Sequence, residues 1–149
     1  MKKDLFEQVC IVYGIDEVER IALTLLSLRD RVHIFTFTGS LGAGKTTLVR
    51  AMLKQVGVRD VITSPTFTYV NLYTGYDGET IYHFDCYRLK TTDEFLQAGF
   101  DEYIYQQGSV SIIEWPDVVM PLLHQELVCH VTIDYVDDIQ RKLCYRISR

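Results

Sequence analysis

One segment of the sequence has the residue types and spacing of a triphosphate-binding loop. Residues 39–46 read Gly-Ser-Leu-Gly-Ala-Gly-Lys-Thr and match the P-loop pattern G-x-x-x-x-G-K-[ST]. Glycines in such a loop let successive backbone N–H groups, here those of Leu41 to Thr46, point at phosphate oxygens. Lys45 would bring a positive charge to the β- and γ-phosphates, and the Thr46 hydroxyl would be a ligand of Mg²⁺. The segment therefore predicts a nucleotide site.

A P-loop site also needs an acid at the end of a neighbouring strand, to hold the metal ion or its waters. Glu114 is the best candidate, because it ends the short apolar run Val110-Ser111-Ile112-Ile113. The alternative is an exposed carboxylate at the end of a strand. The next residue, Trp115, is the only tryptophan. It could line the nucleotide site, although a single tryptophan more often serves packing.

A second set of polar residues occurs in the segment from Tyr82 to Arg88. A strand here would place alternate side chains on opposite faces, with His83, Asp85 and Tyr87 on one face and Phe84 and Cys86 on the other. Asp85 could then orient an attacking water or support Mg²⁺. For His83 a structural role is at least as plausible as a catalytic one. Arg88 could pair with phosphate or with an internal carboxylate.

The segment Ser64-Pro65-Thr66-Phe67 lies between the P-loop and this strand. Small NTPases place their nucleotide-sensing switch loops at this position. The hydroxyls of Ser64 and Thr66 could therefore sense the γ-phosphate. A plain turn at the entry to a strand is the alternative, and the residues alone do not decide between the two.

Alternating strand and helix patterns surround these motifs. Apolar residues at three- and four-residue steps predict helices, and short β-branched or aromatic runs predict strands. The predicted helices are Asp16–Leu28 with Asp16 as N-cap, Thr46–Gln55, Asp93–Ala98 with Thr92 as N-cap, and one or two turns within Asp101–Gln107. The predicted strands are Val32–Phe37, Thr66–Tyr73, Thr80–Leu89, Val110–Ile113, and an antiparallel pair formed by Leu127–Tyr135 and Lys142–Ile147.

This order of elements predicts an α/β fold. We expect residues 1–149 to form a single P-loop NTPase-like domain, with a mixed sheet that is parallel at its centre and antiparallel at its edges, and with helices on both faces.

A hydrophobic fraction of 48% and a charged fraction of 23% are typical of a soluble globular domain. The net charge of −5 disfavours non-specific binding to nucleic acid or anionic lipid, so any RNA would be held by a partner.

The cysteines indicate the compartment in which the chain works. The four cysteines are scattered singly, at Cys10, Cys86, Cys129 and Cys144. No two of them form a C-x-x-C pair, so the spacing that defines zinc-ribbon and thioredoxin-like sites is missing. The segment from Met1 to Glu7 carries charge where a signal peptide would be apolar, and apolar runs are far shorter than the roughly 18 residues of a membrane span. We therefore expect a reduced, cytoplasmic protein without structural disulfides or membrane contact.

Taken together, the motifs resemble those of the TsaE (YjeE) family, small bacterial ATPases of tRNA threonylcarbamoyladenosine biosynthesis. The resemblance runs from about Asp16 to Arg141. It is carried by four motifs in order: Gly42-Ala43-Gly44-Lys45-Thr46-Thr47, Ser64-Pro65-Thr66-Phe67, His83-x-Asp85-x-Tyr87-Arg88 and Ile113-Glu114-Trp115-Pro116. The last three are far more specific than the P-loop alone. Ser40 replaces a common Asp of the family, and Val18 replaces a common Thr near the nucleotide.

The resemblance implies an ATPase that works with a TsaB–TsaD heterodimer on N6-threonylcarbamoylation of adenosine 37 in tRNA, with tRNA reached only through that complex and without DNA. It implies ATP and Mg²⁺ as cofactors. By position, Thr46 and Glu114 would be the metal ligands, and Lys45 and Asp85 the catalytic residues. The nucleotide-binding residues would be Leu41, Gly42, Ala43, Gly44, Lys45, Thr46, Thr47 and Trp115.

Two other functions fit a P-loop of this size. A small kinase that phosphorylates a metabolite would need an acceptor pocket and a lid carrying arginines. Between Gly57 and Val110 only Arg59 and Arg88 are available, which argues against a kinase. A docking module that binds nucleotide without hydrolysing it is the other alternative. No N-K-x-D motif for reading guanine occurs in the sequence.

Overall fold

A computed structural model describes residues 7–149, so most of the charged N-terminal segment considered above lies outside the described residues. Seven strands form one sheet: β1 (Val9–Gly14), β2 (Ile34–Thr38), β3 (Val70–Thr74), β4 (Thr80–Asp85), β5 (Ser109–Glu114), β6 (Val128–Tyr135) and β7 (Gln140–Ser148). The four α-helices are α1 (Val18–Leu26), α2 (Lys45–Gln55), α3 (Thr92–Gln97) and α4 (Asp101–Ile104). Among these residues, no helix is long and apolar enough to cross a bilayer.

The strand order across the sheet is β1-β7-β6-β2-β5-β4-β3. The four central strands β6, β2, β5 and β4 are mutually parallel, while β1, β7 and β3 pair antiparallel at the two sides. This arrangement confirms the predicted mixed sheet. Because parallel strands present their carboxyl ends at the same edge, the residues that follow β2, β4 and β5 meet there.

The sheet packs a hydrophobic core on each face. Helices α1 and α2 pack against one face, where Phe35 and Phe37 of β2 are fully buried against Leu48 and Met52 of α2. On the other face, Phe84 of β4 packs in a second cluster with residues of α3, α4 and the segment after β5. Helices on both faces, as predicted, leave the carboxyl edge of the central strands accessible.

Several element boundaries differ from the sequence-based expectation. Asp16 is not an N-cap, because it lies within a 3₁₀ turn and the Gly14 N–H instead bonds the Glu17 carboxylate at 2.7 Å. Thr92 is not the cap of α3, because the Thr91 hydroxyl accepts the Glu94 N–H. The strand expected over 66–73 begins only at Val70, and the strand expected over 80–89 ends at Asp85, since turns occupy the remaining residues.

The largest departure from expectation is at the first strand. No strand was predicted before Asp16, yet β1 pairs with β7 and places Cys10 directly opposite Cys144. These two cysteines form a disulfide across 134 residues of sequence, so the expectation of a chain without disulfides is wrong. The pairing depends on the register of two antiparallel strands, which the spacing of the cysteines does not reveal. Cys86 and Cys129 are free and buried.

Candidate functional site

The loop predicted to bind phosphate connects the carboxyl end of β2 to the first turn of α2. Gly44 forms the N-cap of α2 at φ 106°, a conformation that disfavours residues with a Cβ. Gly39 approaches β6 so closely that a Cβ would lie 2.4 Å from the Ile133 carbonyl oxygen. No side chain caps α2 within the described residues. The first N–H groups of the helix therefore remain available to an anion, and the helix dipole favours negative charge there.

Lys45 folds back over this loop. Its Nζ donates to the carbonyl oxygens of Gly39 at 2.6 Å and of Ser40 at 2.9 Å, and lies 4.0 Å from the centre of the Trp115 ring. Burial lowers the pKa of Lys45, and the negative charges of Glu114 and Asp85 oppose that shift. In the described part of the chain, the ammonium group thus contacts neutral partners, which a phosphate could replace.

Glu114 lies at the end of β5, beside Phe37 of β2, and its side chain is buried. The alternative of an exposed strand-end carboxylate is therefore wrong. One carboxylate oxygen accepts the Thr46 hydroxyl at 2.8 Å, and the other lies 2.7 Å from Nε2 of His83. Because the carboxylate is bonded on both sides, its position is defined by α2 and β4 together. The two predicted metal ligands, Thr46 and Glu114, are hydrogen-bonded neighbours.

Asp85 ends β4 directly opposite Glu114 in the parallel ladder. Burial raises the pKa of Asp85; the Tyr87 N–H that it accepts at 3.0 Å lowers that pKa, and the nearby Glu114 charge raises it further. The predicted alternation of the strand is confirmed, since His83 is buried on the α2 side whereas Phe84 and Cys86 belong to the opposite core. Tyr87 lies beyond the end of the strand.

These groups surround an open cavity of about 340 Å³. Among the residues predicted from sequence, the cavity is lined by Leu41, Gly42, Gly44, Lys45, Thr46, Thr47, Asp85, Glu114 and Trp115. Ala43 is the exception, because its side chain is buried beneath the loop. Trp115 adopts φ 55° and ψ 60°, a left-handed conformation that is strained for a bulky residue. The structure thus brings all but one of the predicted side chains to one cavity.

The outer wall of the cavity comes from the segment between α2 and β3. Ser64 and Thr66 line it, with their hydroxyl oxygens 3.0 Å apart. The Arg88 guanidinium also lines the cavity and lies 4.2 Å from the centre of the exposed Phe67 ring, next to Thr66 in the chain. Within residues 7–149, Arg88 forms no ion pair with a carboxylate, so the predicted pairing with an internal carboxylate is not formed.

Arg141 supports the phosphate loop, although no sequence motif indicated it. Arg141 of β7 donates from Nε to the Ala43 carbonyl oxygen at 3.0 Å, and its guanidinium also bonds the carbonyls of Asp137 and Gln140. It therefore braces the phosphate loop against the β6–β7 hairpin. Ala43 and Arg141 are 98 residues apart, and no local signal in the sequence links them.

The donor set fits a magnesium ion that is shared with a nucleotide. Oxygen atoms of Thr46, Glu114 and Asp85 line one cavity, and Mg²⁺ prefers oxygen ligands. Over the described range, no group of three or more His, Cys, Asp or Glu side chains could hold a metal on its own. In nucleotide sites, Mg²⁺ commonly has one or two protein ligands, and phosphates and water complete its coordination.

Comparison with known proteins identifies the family. The family model described as "Threonylcarbamoyl adenosine biosynthesis protein TsaE" matches residues 13–143. A Haemophilus influenzae protein named tRNA threonylcarbamoyladenosine biosynthesis protein TsaE is 39% identical over 121 residues, which cover 80% of this chain and 75% of that protein. The Bacillus subtilis protein of the same name is 33% identical over 131 residues, which cover 87% of this chain and 79% of that protein.

The fold agrees with a solved relative. The crystal structure of Bacillus subtilis YdiB superposes with a TM-score of 0.72 at 26% sequence identity. The superposition covers 97% of this chain and 88% of that one. The match therefore includes the mixed sheet and the elements that surround the cavity.

Proposed function

The chain belongs to the TsaE family of threonylcarbamoyl adenosine biosynthesis proteins, and from this premise we propose that it is a Mg²⁺-dependent ATPase. Membership places the chain in tRNA threonylcarbamoyladenosine biosynthesis. The finer proposal is that it hydrolyses ATP as the accessory ATPase of a complex with TsaB and TsaD homologues in the cytoplasm. The net charge of −5 supports a role in which tRNA is held by those partners.

One observation carries the ATPase proposal. The Thr46 hydroxyl and the buried Glu114 carboxylate are hydrogen-bonded at the N-terminal end of α2, with Lys45 beside them. No side chain in the described part of the chain caps that end of the helix. Thr46 and Glu114 are 68 residues apart in sequence, so their contact is a product of the fold. The combination offers amide donors and an ammonium for phosphates and oxygen ligands for a cation.

Each residue then has a distinct task during hydrolysis. The loop N–H groups and Lys45 would hold the phosphates and stabilise the charge that develops on them. Bound Mg²⁺ would neutralise charge on the β- and γ-phosphate oxygens, and Thr46 and Glu114 would hold it. Asp85 would orient the attacking water. Its raised pKa, caused mainly by burial, makes its carboxylate a better proton acceptor than a solvent-exposed one.

The test is a comparison of two lysines on the same helix. Lys45→Ala should lose nucleotide binding by at least about tenfold and lose hydrolysis, since a charged contact to phosphate contributes roughly 1.5–3 kcal/mol. Lys54→Ala is the matched control, because Lys54 is exposed near the other end of α2. Binding is measured by titration calorimetry and products by phosphate release.

The products also separate the alternatives. Free phosphate without a phosphorylated acceptor supports an ATPase. A phosphorylated metabolite would indicate a kinase, and bound ATP left intact would indicate a docking module. Wild-type turnover by Lys45→Ala would show that the site is elsewhere. A final assay reconstitutes tRNA modification with TsaB and TsaD homologues, with and without this protein and ATP, and scores multiple turnovers.

A further inference from the structure

His83 is a polar side chain in the interior of the protein. It is fully buried on β4, and its neighbours in the sheet ladder are Ile112 of β5 and Asn71 of β3. Burying an imidazole costs free energy unless hydrogen bonds compensate for lost hydration. An apolar residue of similar size would fill this space without that cost. The presence of histidine here therefore requires an explanation in its polar contacts.

Among residues 7–149, the one hydrogen-bond partner of the His83 ring is Glu114. Nε2 lies 2.7 Å from Oε2 of Glu114, whereas Nδ1 has no hydrogen-bond partner in the described part of the chain. An ionised carboxylate can only accept, so Nε2 carries the proton when Glu114 is charged. The single oriented interaction of the ring is thus donation to Glu114.

Glu114 needs such an anchor because two other groups compete for it. The Thr46 hydroxyl donates to Oε1 from one side. The Lys45 ammonium lies close enough for its charge to be felt by that of Glu114. A glutamate has three rotatable side-chain bonds, so without the bond to Oε2 only the Thr46 hydroxyl would hold the carboxylate against rotation toward the ammonium. After that rotation the ammonium and the carboxylate would pair with each other, and neither would be available to phosphate or to a cation.

We propose that His83 is a positioning residue, which holds the Glu114 carboxylate in the orientation that accepts a divalent cation beside Thr46. The proposal rests on the function proposed above and adds a residue to it. Hydrogen bonds to metal ligands commonly change metal affinity or activity 10- to 100-fold when removed. Loss of the hydrogen bond from His83 should therefore weaken binding of the cation more than binding of the nucleotide.

A matched pair of substitutions tests the proposal. His83→Gln keeps an N–H donor at a similar reach, and His83→Leu keeps an apolar volume without a donor. Binding of Mn²⁺, used as a paramagnetic substitute for Mg²⁺, is measured by electron paramagnetic resonance with ADP present. Binding of ADP without metal is measured separately by calorimetry. His83→Leu should weaken Mn²⁺ binding roughly 10- to 100-fold and metal-free ADP binding less than about threefold, while His83→Gln restores Mn²⁺ affinity to within about fivefold.

The outcomes separate this proposal from the one on which it rests. If the wild-type protein does not bind ADP and Mn²⁺ together, the proposed nucleotide site fails. If the wild-type protein binds both and the two variants bind Mn²⁺ equally, whether as wild type or equally weakly, the positioning role of His83 is refuted. Equal losses of Mn²⁺ and ADP affinity in His83→Leu would also refute it.

A measurement on the wild-type protein keeps the test valid if His83→Leu does not fold, which circular dichroism would reveal. Nitrogen-15 NMR of the histidine ring reports which nitrogen carries the proton. A proton on Nε2 of His83 is expected, because the proposed role requires that nitrogen to donate to the Glu114 carboxylate 2.7 Å away. A bare Nε2 would overturn the proposal, since it could not donate to the carboxylate.

Discussion

The hydrogen bond between Thr46 and Glu114 can be tested without any ligand. Thr46→Val preserves the shape of the side chain and removes the hydroxyl that donates at 2.8 Å to the buried carboxylate. A hydrogen bond to a charged group contributes about 1.5–3 kcal/mol to stability. Thr46 is partly exposed, so water can replace some of the lost bond, and we expect the lower end of this range. Thr46→Ser retains the hydroxyl and is the matched control.

The two variants should differ clearly in stability. Thr46→Ser loses one partly exposed methyl group, which costs less than about 0.8 kcal/mol. Thr46→Val should unfold with a free energy lower by about 1.5 kcal/mol, equivalent to about 3–6 °C in Tm for a domain of this size. Urea unfolding at pH 7, without metal or nucleotide, measures both. Equal midpoints for the two variants, with unchanged slopes, would show that the bond does not stabilise the folded protein.

Two further perturbations address other parts of the molecule. The pKa of Asp85 is raised above its ordinary value of 3.8, mainly by burial, with Glu114 adding to the shift and His83 and Lys45 opposing it. Stability that depends on protonated Asp85 is thus complete below pH 3.8 and is lost as pH rises through the folded-state pKa. Asp85→Asn should remove this loss, so the free energy of unfolding of the variant relative to wild type should increase as the pH rises above 3.8, while hydrolysis falls. Parallel pH profiles of the free energy of unfolding, measured with urea, would contradict the shift. For the disulfide, reduction should lower the free energy of unfolding by about 2–4 kcal/mol, because a bond across 134 residues restricts the unfolded chain. Cys10→Ser should abolish the difference in the free energy of unfolding between oxidising and reducing buffer, whereas Cys86→Ser should leave that difference unchanged. If the difference persists in Cys10→Ser, other thiols cause it.

The sequence alone was enough for features that depend on neighbouring residues. The phosphate loop is contiguous, and its strand, glycines and helix follow from residue type and local periodicity. The alternation of His83 and Asp85 with Phe84 follows from the two-residue repeat of a strand. The parallel centre of the sheet followed from the order of strands and helices, because parallel strands need crossover connections.

Only the tertiary structure decided which distant residues meet. The sequence predicted that Thr46 and Glu114 hold the same metal ion, and the parallel pairing of β2 with β5 is what brings them within hydrogen-bonding distance. The partner of His83 and the pairing of Cys10 with Cys144 depend on strand register, which is set by packing over the whole sheet. Local propensity contains no information on such long-range contacts. The cavity and its charge balance therefore emerge only when the strands are assembled.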